Sequence, residues 1–340
     1  MHRPLRLRID RAALAANWRW LAATSGTVAG AAVKADGYGL GAGAVTEGLA
    51  EAGCRDFFVA TWDEALRLGP LPASCSLSVL HGVGPDDVHA ALASSARPVL
   101  NSAEQIARWK AIAPDRPCDL MIDTGMNRLG LRPEEASARD GLIVDTVMSH
   151  LACADEEHPL NKLQLQNFRE VVASVEAKRY SLANSAGICL GRDFAFDLVR
   201  PGLALYGGIP RAEARGKIAQ VAFPEAQVVQ RRVARAGESV GYGATFVASH
   251  DTDLAVLNLG YADGYWRGFS GGGAAMFDGA TLPIVGRVSM DLIAIDCGAA
   301  PGLREGDWVG IDYDLPTASA ASGMSQYELL TGLGGRFDRC

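Results

Sequence analysis

Residues 28–43 read VAGAAVKADGYGLGAG, and this stretch decides the fold. Small and branched apolar residues lead to a single lysine, Lys34, and glycines recur from Gly37 onward. This order predicts a buried strand, a lysine at its carboxyl end and a glycine-rich loop that enters a helix. An amine confined among apolar groups has a lowered pKa and can serve as a nucleophile or a base. The stretch therefore predicts either Schiff-base chemistry at Lys34 or, for a lysine taken alone, a charge that reaches solvent at a strand end.

The composition limits the classes of function. Of the 340 residues, 49% are hydrophobic and 21% are charged, which is typical of a globular protein with one large core or two domains. No apolar run approaches the roughly 20 residues of a membrane span, and the start MHRPLRLRIDR lacks the apolar core of a signal peptide. A net charge of −7 with dispersed Lys and Arg argues against a nucleic-acid surface. Seven widely spaced cysteines indicate neither disulfides nor a metal site, so we expect a cytoplasmic protein that binds a small molecule.

Short β-like runs alternate with helix-compatible segments through the first two thirds of the chain. A helix over residues 11–24, capped by Asp10, precedes the first run. Eight such alternations predict an α/β fold, a closed (β/α)8 TIM barrel, rather than an open sheet. The eight runs cover residues 28–33, 57–60, 76–80, 97–100, 118–123, 143–149, 179–183 and 196–199.

The pattern of the chain changes after Lys217. From Val221 onward, alternating runs such as DLAVLNL and DLIAID are separated by Gly, Asp and Pro, with almost no helical periodicity before Tyr327. We therefore expect a barrel over residues 1–217 and a C-terminal all-β domain over residues 218–340.

Polar side chains follow the predicted barrel strands at their carboxyl ends, which is where barrel enzymes carry their chemistry. Each has an ordinary structural explanation when taken alone, such as a helix cap, a core histidine or a solvated cation. Five strand ends that carry such groups on one face of a barrel together predict an active site. The residues are Lys34, Asp123, Arg128, His150, Asn184, Ser185 and Arg200.

Nine segments, in order along nearly the whole chain, resemble the motifs of alanine racemases, a family of fold type III pyridoxal 5'-phosphate enzymes with a barrel and a β domain. The segments are AAVKADGYG, DTGMNRLGL, SHLACADE, ANSAG, VRPGLALYG, GYGATF, LGYADGY, VGRVSMDLIAID and QYELLTGLGGR.

The resemblance implies two bases and a set of cofactor ligands. Lys34 would hold pyridoxal 5'-phosphate and act as one base at the substrate α-carbon, and Tyr242 would be the second base on the opposite face, as inversion requires. Arg200 would face the pyridine nitrogen, and His150 and Arg200 would support Tyr242. The remaining cofactor-binding residues implied by the resemblance are Tyr38, Asn184, Ser185, Gly202, Leu203 and Tyr327.

The resemblance also implies the substrate site and the assembly. Arg128 would pair with the substrate carboxylate beside the backbone N–H of Met290, with Asp291 and Tyr261 in support. Tyr242 and Met290 would reach the site from the other subunit of a homodimer. The expected reaction interconverts L-alanine and D-alanine and supplies D-alanine for peptidoglycan. A serine or broader-specificity racemase is the alternative, because excluding one extra group is worth only about 1–3 kcal/mol.

One position departs from the family pattern. Many members carry, seven residues before the motif arginine, a lysine that is carbamylated and orients that arginine, whereas this chain has Met121. Strand alternation points Met121 toward the pocket, and a thioether cannot accept a charge-assisted hydrogen bond. We therefore expect Arg128 to be steadied by Asn127 or a bound anion, or to be less rigid.

Two other classes of function stay open at this point. One is another lysine-based barrel enzyme, either an aldolase without a cofactor or a decarboxylase with the same cofactor. The other is a non-catalytic cofactor-binding barrel. An aldolase has no need of a phosphate-binding set, and a binding module has no need of a second base such as Tyr242.

Overall fold

The computed structural model describes residues 3–340, apart from the side chain of Ser137. A strand, β1 (Leu5–Ile9), and a helix, α1 (Arg11–Ser25), come first. The predicted helix over residues 11–24 is confirmed with one further residue. The Asp10 side chain caps it by accepting a hydrogen bond from the Ala13 N–H at 2.8 Å, and Gly26 ends it in a left-handed conformation.

The predicted (β/α)8 barrel is confirmed, and each of the eight predicted runs contains strand. The first run is split at Gly30: its first half, β2, pairs with the last barrel strand, and its second half, β3, begins a seven-stranded parallel sheet in sequential order. The last strand, β10, is joined to the β9 segment by the hydrogen bonds from the Asp197 N–H to the Tyr180 carbonyl at 3.0 Å and from the Arg200 N–H to the Ala183 carbonyl at 2.9 Å, so the sheet closes into a barrel. The strands are β2 (Val28–Ala29), β3 (Ala31–Ala32), β4 (Asp56–Val59), β5 (Ser76–Val79), β6 (Arg97–Leu100), β7 (Cys118–Met121), β8 (Val144–Met148), β9 (Arg179–Ser181) and β10 (Leu198–Val199).

Helices follow most of the barrel strands and cover the outside of the barrel, as in other (β/α)8 folds. Their apolar faces pack on the strands: Leu49, Ile106 and Phe168 are each at most 1% exposed. A short left-handed turn, α2 (Lys34–Tyr38), follows β3 and is not one of these covering helices. The helices are α3 (Ala42–Ala52), α4 (Trp62–Leu68), α5 (Val88–Ala93), α6 (Ala103–Ile112), α7 (Pro159–Ser174) and α8 (Ser185–Cys189).

The rest of the chain forms the predicted β domain. Six of its strands close an antiparallel barrel, because the long strand β11 pairs with both β14 and β18. Two further helices follow, α9 (Leu315–Ser322), which the sequence did not predict, and α10 (Gln326–Thr331). The strands are β11 (Ala222–Ala234), β12 (Ser239–Val240), β13 (Phe246–Val247), β14 (Thr252–Leu257), β15 (Ala274–Phe277), β16 (Ala280–Val285), β17 (Ile293–Asp296), β18 (Trp308–Ile311) and β19 (Asp338–Arg339).

The first strand of the chain belongs to the sheet of the β domain. β1 pairs antiparallel with β11 from Leu5 opposite Ala226 to Ile9 opposite Ala222, and its other edge pairs with β19. The amino-terminal residues therefore tie the second domain to the helix that opens the barrel.

The interior of the barrel has three layers along the strands: charged side chains at the amino ends, apolar side chains in the middle and the polar pocket at the carboxyl ends. At the amino ends, Arg97 contacts Asp119 and Asp145 at 3.5 and 3.1 Å, and Arg179 contacts Asp56 and Asp145 at 2.8 and 2.9 Å. An apolar layer follows, and the polar pocket lies only at the carboxyl ends. The layer consists of Phe58, Val99, Met121, Met148 and Leu198.

Within residues 3–340, no helix combines the length and the apolar character that crossing a membrane requires.

Candidate active site

A cavity of about 540 Å³ opens at the carboxyl ends of the barrel strands. It gathers most of the side chains that the sequence singled out, from five strand ends and from helix α10. The predicted residues that line it are Lys34, Tyr38, Asp123, Arg128, His150, Asn184, Ser185, Arg200, Gly202, Leu203 and Tyr327.

Lys34 follows the strand end directly, but the segment after it is a single left-handed turn. Ala35, Asp36 and Tyr38 have φ angles of +52°, +52° and +55°, and Gly37 lies in the same region at +63°. Such backbone is disfavoured for residues other than glycine, so it must be held by its surroundings. The Glu64 carboxylate accepts a hydrogen bond from the Ala35 N–H at 2.8 Å and thereby anchors the start of the turn.

The surroundings of the Lys34 amine favour its neutral form. Burial lowers its pKa, the nearby charge of Arg128 lowers it further, and Glu64 acts in the opposite direction. Among residues 3–340, no side chain forms a hydrogen bond or an ion pair with the Lys34 Nζ atom. The amine is therefore available as a nucleophile or a base.

Arg200 is a buried cation fixed by neutral oxygens. Its Nη1 atom donates to the Ser181 carbonyl at 2.9 Å and to the Ser181 hydroxyl, and its Nη2 atom donates to the Ser149 carbonyl at 2.6 Å. Burial lowers the pKa of Arg200 to about 10, so the guanidinium keeps its charge at neutral pH. Burial and the charges of Arg200, Arg128 and Lys34 lower the pKa of His150 to about 3, so this imidazole is neutral.

Helix α8 and the loop after β10 form the polar wall of the cavity. The buried Ser185 hydroxyl accepts hydrogen bonds from the backbone N–H groups of Gly202 and Ala204 at 2.9 and 3.2 Å. A side chain at Gly202 would place its Cβ atom 2.3 Å from the Tyr38 hydroxyl, so glycine is needed for this close approach. The Asn184 side chain caps α8 by accepting from the Gly187 N–H at 2.8 Å.

Three tyrosines stand together beside this wall. The Tyr38 ring stacks on Tyr206 with centroids 4.6 Å apart and lies 6.3 Å from Tyr327. The Tyr206 hydroxyl donates to the Ala32 carbonyl at 2.8 Å, which ties the stack to strand β3. Burial raises the pKa of Tyr38 and that of Tyr327, so both phenols stay protonated and can donate hydrogen bonds.

Arg128 is exposed at the rim of the cavity. Across residues 3–340, its guanidinium has no hydrogen-bond or ion-pair partner, so Asn127 does not steady it, and the alternatives of a bound anion or a less rigid side chain stay predictions. Asn127 itself is exposed and holds a left-handed backbone, with φ +55°. Met121 is 7% exposed and lines the cavity, as strand alternation predicted.

Four predicted site residues lie on the β domain and outside this cavity. Tyr242 and Met290 are 70% and 54% exposed, and Tyr242 lines a separate groove with Arg287 and Leu292. Asp291 pairs with Arg336 at 2.7 Å, and the Tyr261 N–H donates to the Ser289 carbonyl at 3.0 Å. A single chain therefore does not bring Tyr242 or Met290 to Lys34.

The sequence did not predict the residues that hydrogen-bond to the predicted site residues and fix their positions. Glu64 belongs to a capping box, since Thr61 accepts from the Glu64 N–H while Glu64 accepts from the Thr61 N–H, and the spacing T-x-x-E indicates such a box. Ser149 and Ser181 give no signal of their own, because the carbonyls that receive Arg200 exist at every residue.

Comparisons with known proteins agree along the whole chain. Family models described as alanine racemase N-terminal domain and C-terminal domain match residues 9–210 and 221–340. The catabolic alanine racemase of Agrobacterium fabrum is 45% identical over 98% of this chain and 91% of its own length, and the biosynthetic alanine racemase of the same organism is 40% identical over 99% and 93%. The crystal structure of the Bartonella henselae alanine racemase with covalently bound pyridoxal phosphate superposes with a TM-score of 0.91 at 37% identity, covering 99% of both chains. With the fold, the cavity and these matches in agreement, the chain belongs to the alanine racemase family.

Proposed function

We propose that this protein is a pyridoxal 5'-phosphate-dependent alanine racemase, an isomerase that interconverts L-alanine and D-alanine. The observation that carries the proposal is the Lys34 amine, with its lowered pKa and without a partner among residues 3–340, at the end of a barrel strand. It faces a cavity that also holds the cations of Arg128 and Arg200.

The residues of the cavity fit this cofactor. The cations of Arg128 and Arg200 outnumber Asp123, the one acidic side chain of the lining among residues 3–340, and the Asp123 carboxylate already accepts from the N–H groups of Gly125 and Met126 at 2.8 Å. A surplus of positive charge in a confined site favours anions such as a phosphate and a substrate carboxylate. The close approach of Tyr38 to Gly202 beside the Ser185 hydroxyl adds hydrogen-bond donors on one wall.

We assign the residues at the cofactor accordingly. Lys34 would hold it covalently, and the cation of Arg200, fixed by Ser149 and Ser181, would face its ring nitrogen. His150 and Asn184 belong to the same wall. The phosphate would be held by Tyr38, Ser185, Tyr327 and the backbone at Gly202 and Leu203.

When bound, the cofactor withdraws electrons from the substrate α-carbon and makes its proton removable. Arg128 would bind the substrate carboxylate, and its freedom from other partners within residues 3–340 leaves its donors available. The neutral Lys34 amine would take the α-proton on one face, and the Tyr242 phenol would return a proton on the other. Arg200 would keep its own proton and give none to the ring nitrogen of the cofactor, and this would favour the return of a proton to the substrate α-carbon.

The second base calls for a second subunit. Tyr242 and Met290 are exposed on the β domain, so we propose a homodimer in which each β domain completes the partner's cavity, with Asp291 and Tyr261 supporting the loop of Met290. Residues 1–217 would form the cofactor domain and residues 218–340 the domain that supplies this base, with β1 joining the second sheet. We also propose a cytoplasmic location, which the seven free cysteines favour, and a role in supplying D-alanine for peptidoglycan.

The test is racemisation followed by circular dichroism. Purified protein is depleted of cofactor and given L-alanine, L-serine or a larger L-amino acid, with and without added pyridoxal 5'-phosphate. We expect the circular-dichroism signal to disappear fastest with L-alanine. This racemisation should require added pyridoxal 5'-phosphate and should be abolished in Lys34→Ala. Racemisation that needs no cofactor, or that persists in Lys34→Ala, would overturn the proposal.

A further inference from the structure

The turn that carries Lys34 and Tyr38 needs support from outside itself. Three of its non-glycine residues, Ala35, Asp36 and Tyr38, hold left-handed backbone. Such backbone is disfavoured for residues other than glycine, so the turn would relax in isolation. Internal hydrogen bonds contribute, such as Gly39 N–H to the Ala35 carbonyl at 2.8 Å, and Glu64 anchors the first residue.

The other end of the turn is held by the last strand of the chain. The Nε and Nη2 atoms of Arg339, in β19, donate to the Gly39 carbonyl at 3.0 and 2.7 Å. Gly39 directly follows Tyr38, the proposed phosphate ligand. A hydrogen bond from a charged donor is about twice as strong as a neutral one, so this contact is strong for a backbone carbonyl.

The same guanidinium reaches the segment after helix α10. Its Nη2 atom also donates to the Leu333 and Gly334 carbonyls at 3.3 and 3.4 Å. Helix α10 carries Tyr327 and lies against the turn, because a Cβ atom at Gly39 would come within 2.4 Å of the Leu330 carbonyl. Arg339 therefore bonds at once to the turn of Tyr38 and to the segment of Tyr327.

The partners of Arg339 distinguish this contact from an ordinary surface ion pair. Within residues 3–340, its guanidinium contacts no carboxylate, and all its hydrogen bonds go to carbonyls. Strand β19 does not depend on this side chain, since it pairs with β1 through backbone bonds such as Cys340 N–H to the Leu7 carbonyl at 3.1 Å. The Arg339 side chain therefore binds the turn and is not required for strand pairing.

We propose that Arg339 is a positioning residue for the cofactor site: it fixes the left-handed turn so that Lys34, Tyr38 and Tyr327 are set before the cofactor binds. The proposal rests on the function proposed above for the ligand, but the order of the turn is a property of the free protein. Nothing in the motif resemblance includes this residue, which lies after the last matching segment.

The test compares Arg339→Ala with Arg3→Ala. Arg3 is the matched control, because its Nη1 atom donates to the carbonyl of Phe337, in the same terminal segment, at 3.3 Å without contacting the turn. Two quantities are measured: amide hydrogen exchange of residues 35–41 and 5–9 in the cofactor-free protein, and the dissociation constant of pyridoxal 5'-phosphate. Arg339→Lys, which keeps one donor for Gly39, is the conservative variant.

For Arg339→Ala we expect exchange of residues 35–41 to rise, and cofactor affinity to fall, by about tenfold or more, as for the loss of a charged hydrogen bond. In Arg339→Ala, exchange of residues 5–9 should stay as in the wild type. Arg3→Ala should stay within about twofold of the wild type in exchange and in cofactor affinity. The values of Arg339→Lys should lie between those of the wild type and those of Arg339→Ala.

Equal exchange and affinity in Arg339→Ala and Arg3→Ala would overturn the proposal. Should Arg339→Ala fail to fold, Arg339→Met takes its place, because it keeps an apolar side chain of similar length without any donor for Gly39; wild-type affinity and exchange in Arg339→Met would overturn the proposal equally. A wild-type protein that binds no cofactor would refute the proposed function, while the exchange data would still decide the role of Arg339.

Discussion

At the scale of single residues, the cavity sets the protonation of its own groups. Burial of the Lys34 amine and of the His150 imidazole, together with the nearby charges of Arg128 and Arg200, pushes both groups toward their neutral forms. The motif resemblance singled out Lys34, Arg128 and Arg200, which line this cavity together. It could not predict that Arg200 is held by the carbonyls of Ser149 and Ser181, because a backbone acceptor leaves no trace in the sequence.

The lowered pKa of His150 predicts how stability depends on pH. Below pH 6.5, the ordinary pKa of histidine, His150 takes up a proton in the unfolded chain, whereas in the folded protein it stays neutral down to about pH 3. The folded state should therefore lose stability as the pH falls through this window. We expect the cofactor-free His150→Asn variant to lose about 1–2 kcal/mol less than the wild type between pH 7 and pH 5.

The measurement is the free energy of unfolding in urea at the two pH values. His250→Asn, at an exposed site on the β domain, controls for the loss of any one histidine. Identical pH dependence in wild type and His150→Asn would show that His150 is not held neutral.

At the scale of elements, the local sequence pattern predicts some strands and helices, whereas others depend on contacts with residues far away in the sequence. The barrel strands were predictable because each is a short apolar run between helical segments, and α1 because of its cap. Strand β1 was not, although Leu5, Leu7 and Ile9 alternate, since its partner β11 lies more than 200 residues away in the sequence. The left-handed turn after Lys34 was not either, because only Gly37 among its residues favours that backbone.

Glu64 is expected to stabilise the fold by linking a barrel helix to the turn after Lys34. Its two carboxylate oxygens accept from the Ala35 N–H at 2.8 Å and the Ala60 N–H at 2.6 Å, so it joins helix α4 to the turn. Glutamine offers one oxygen, and its amide nitrogen would face a donor. We expect Glu64→Gln to lower the free energy of unfolding by about 1–2 kcal/mol.

Asp63→Asn is the matched control on the same helix, because among residues 3–340 the Asp63 carboxylate contacts just one cation, Arg67, on the surface at 3.0 Å. Its cost in urea unfolding should stay below about 0.5 kcal/mol. Equal costs for the two variants would contradict the anchoring role of Glu64.

At the scale of the whole molecule, the two groups of residues proposed to form the site do not meet within one chain. The barrel gathers the residues proposed to bind the cofactor around Lys34, whereas the β domain presents Tyr242 and Met290 on its surface. The fold was predictable from the order of strands and helices. The location of Tyr242 relative to Lys34 was not, because it depends on which surfaces of two chains come together.

The central claim, that Lys34 of one subunit and Tyr242 of another share one site, is tested by mixing two inactive variants. Lys34→Ala and Tyr242→Phe are co-refolded in equal amounts, and alanine racemisation is measured with pyridoxal 5'-phosphate present. Half of the dimers should be hybrids with one intact site each, so about one quarter of wild-type activity should return. A mixture no more active than the separate variants would contradict the shared site.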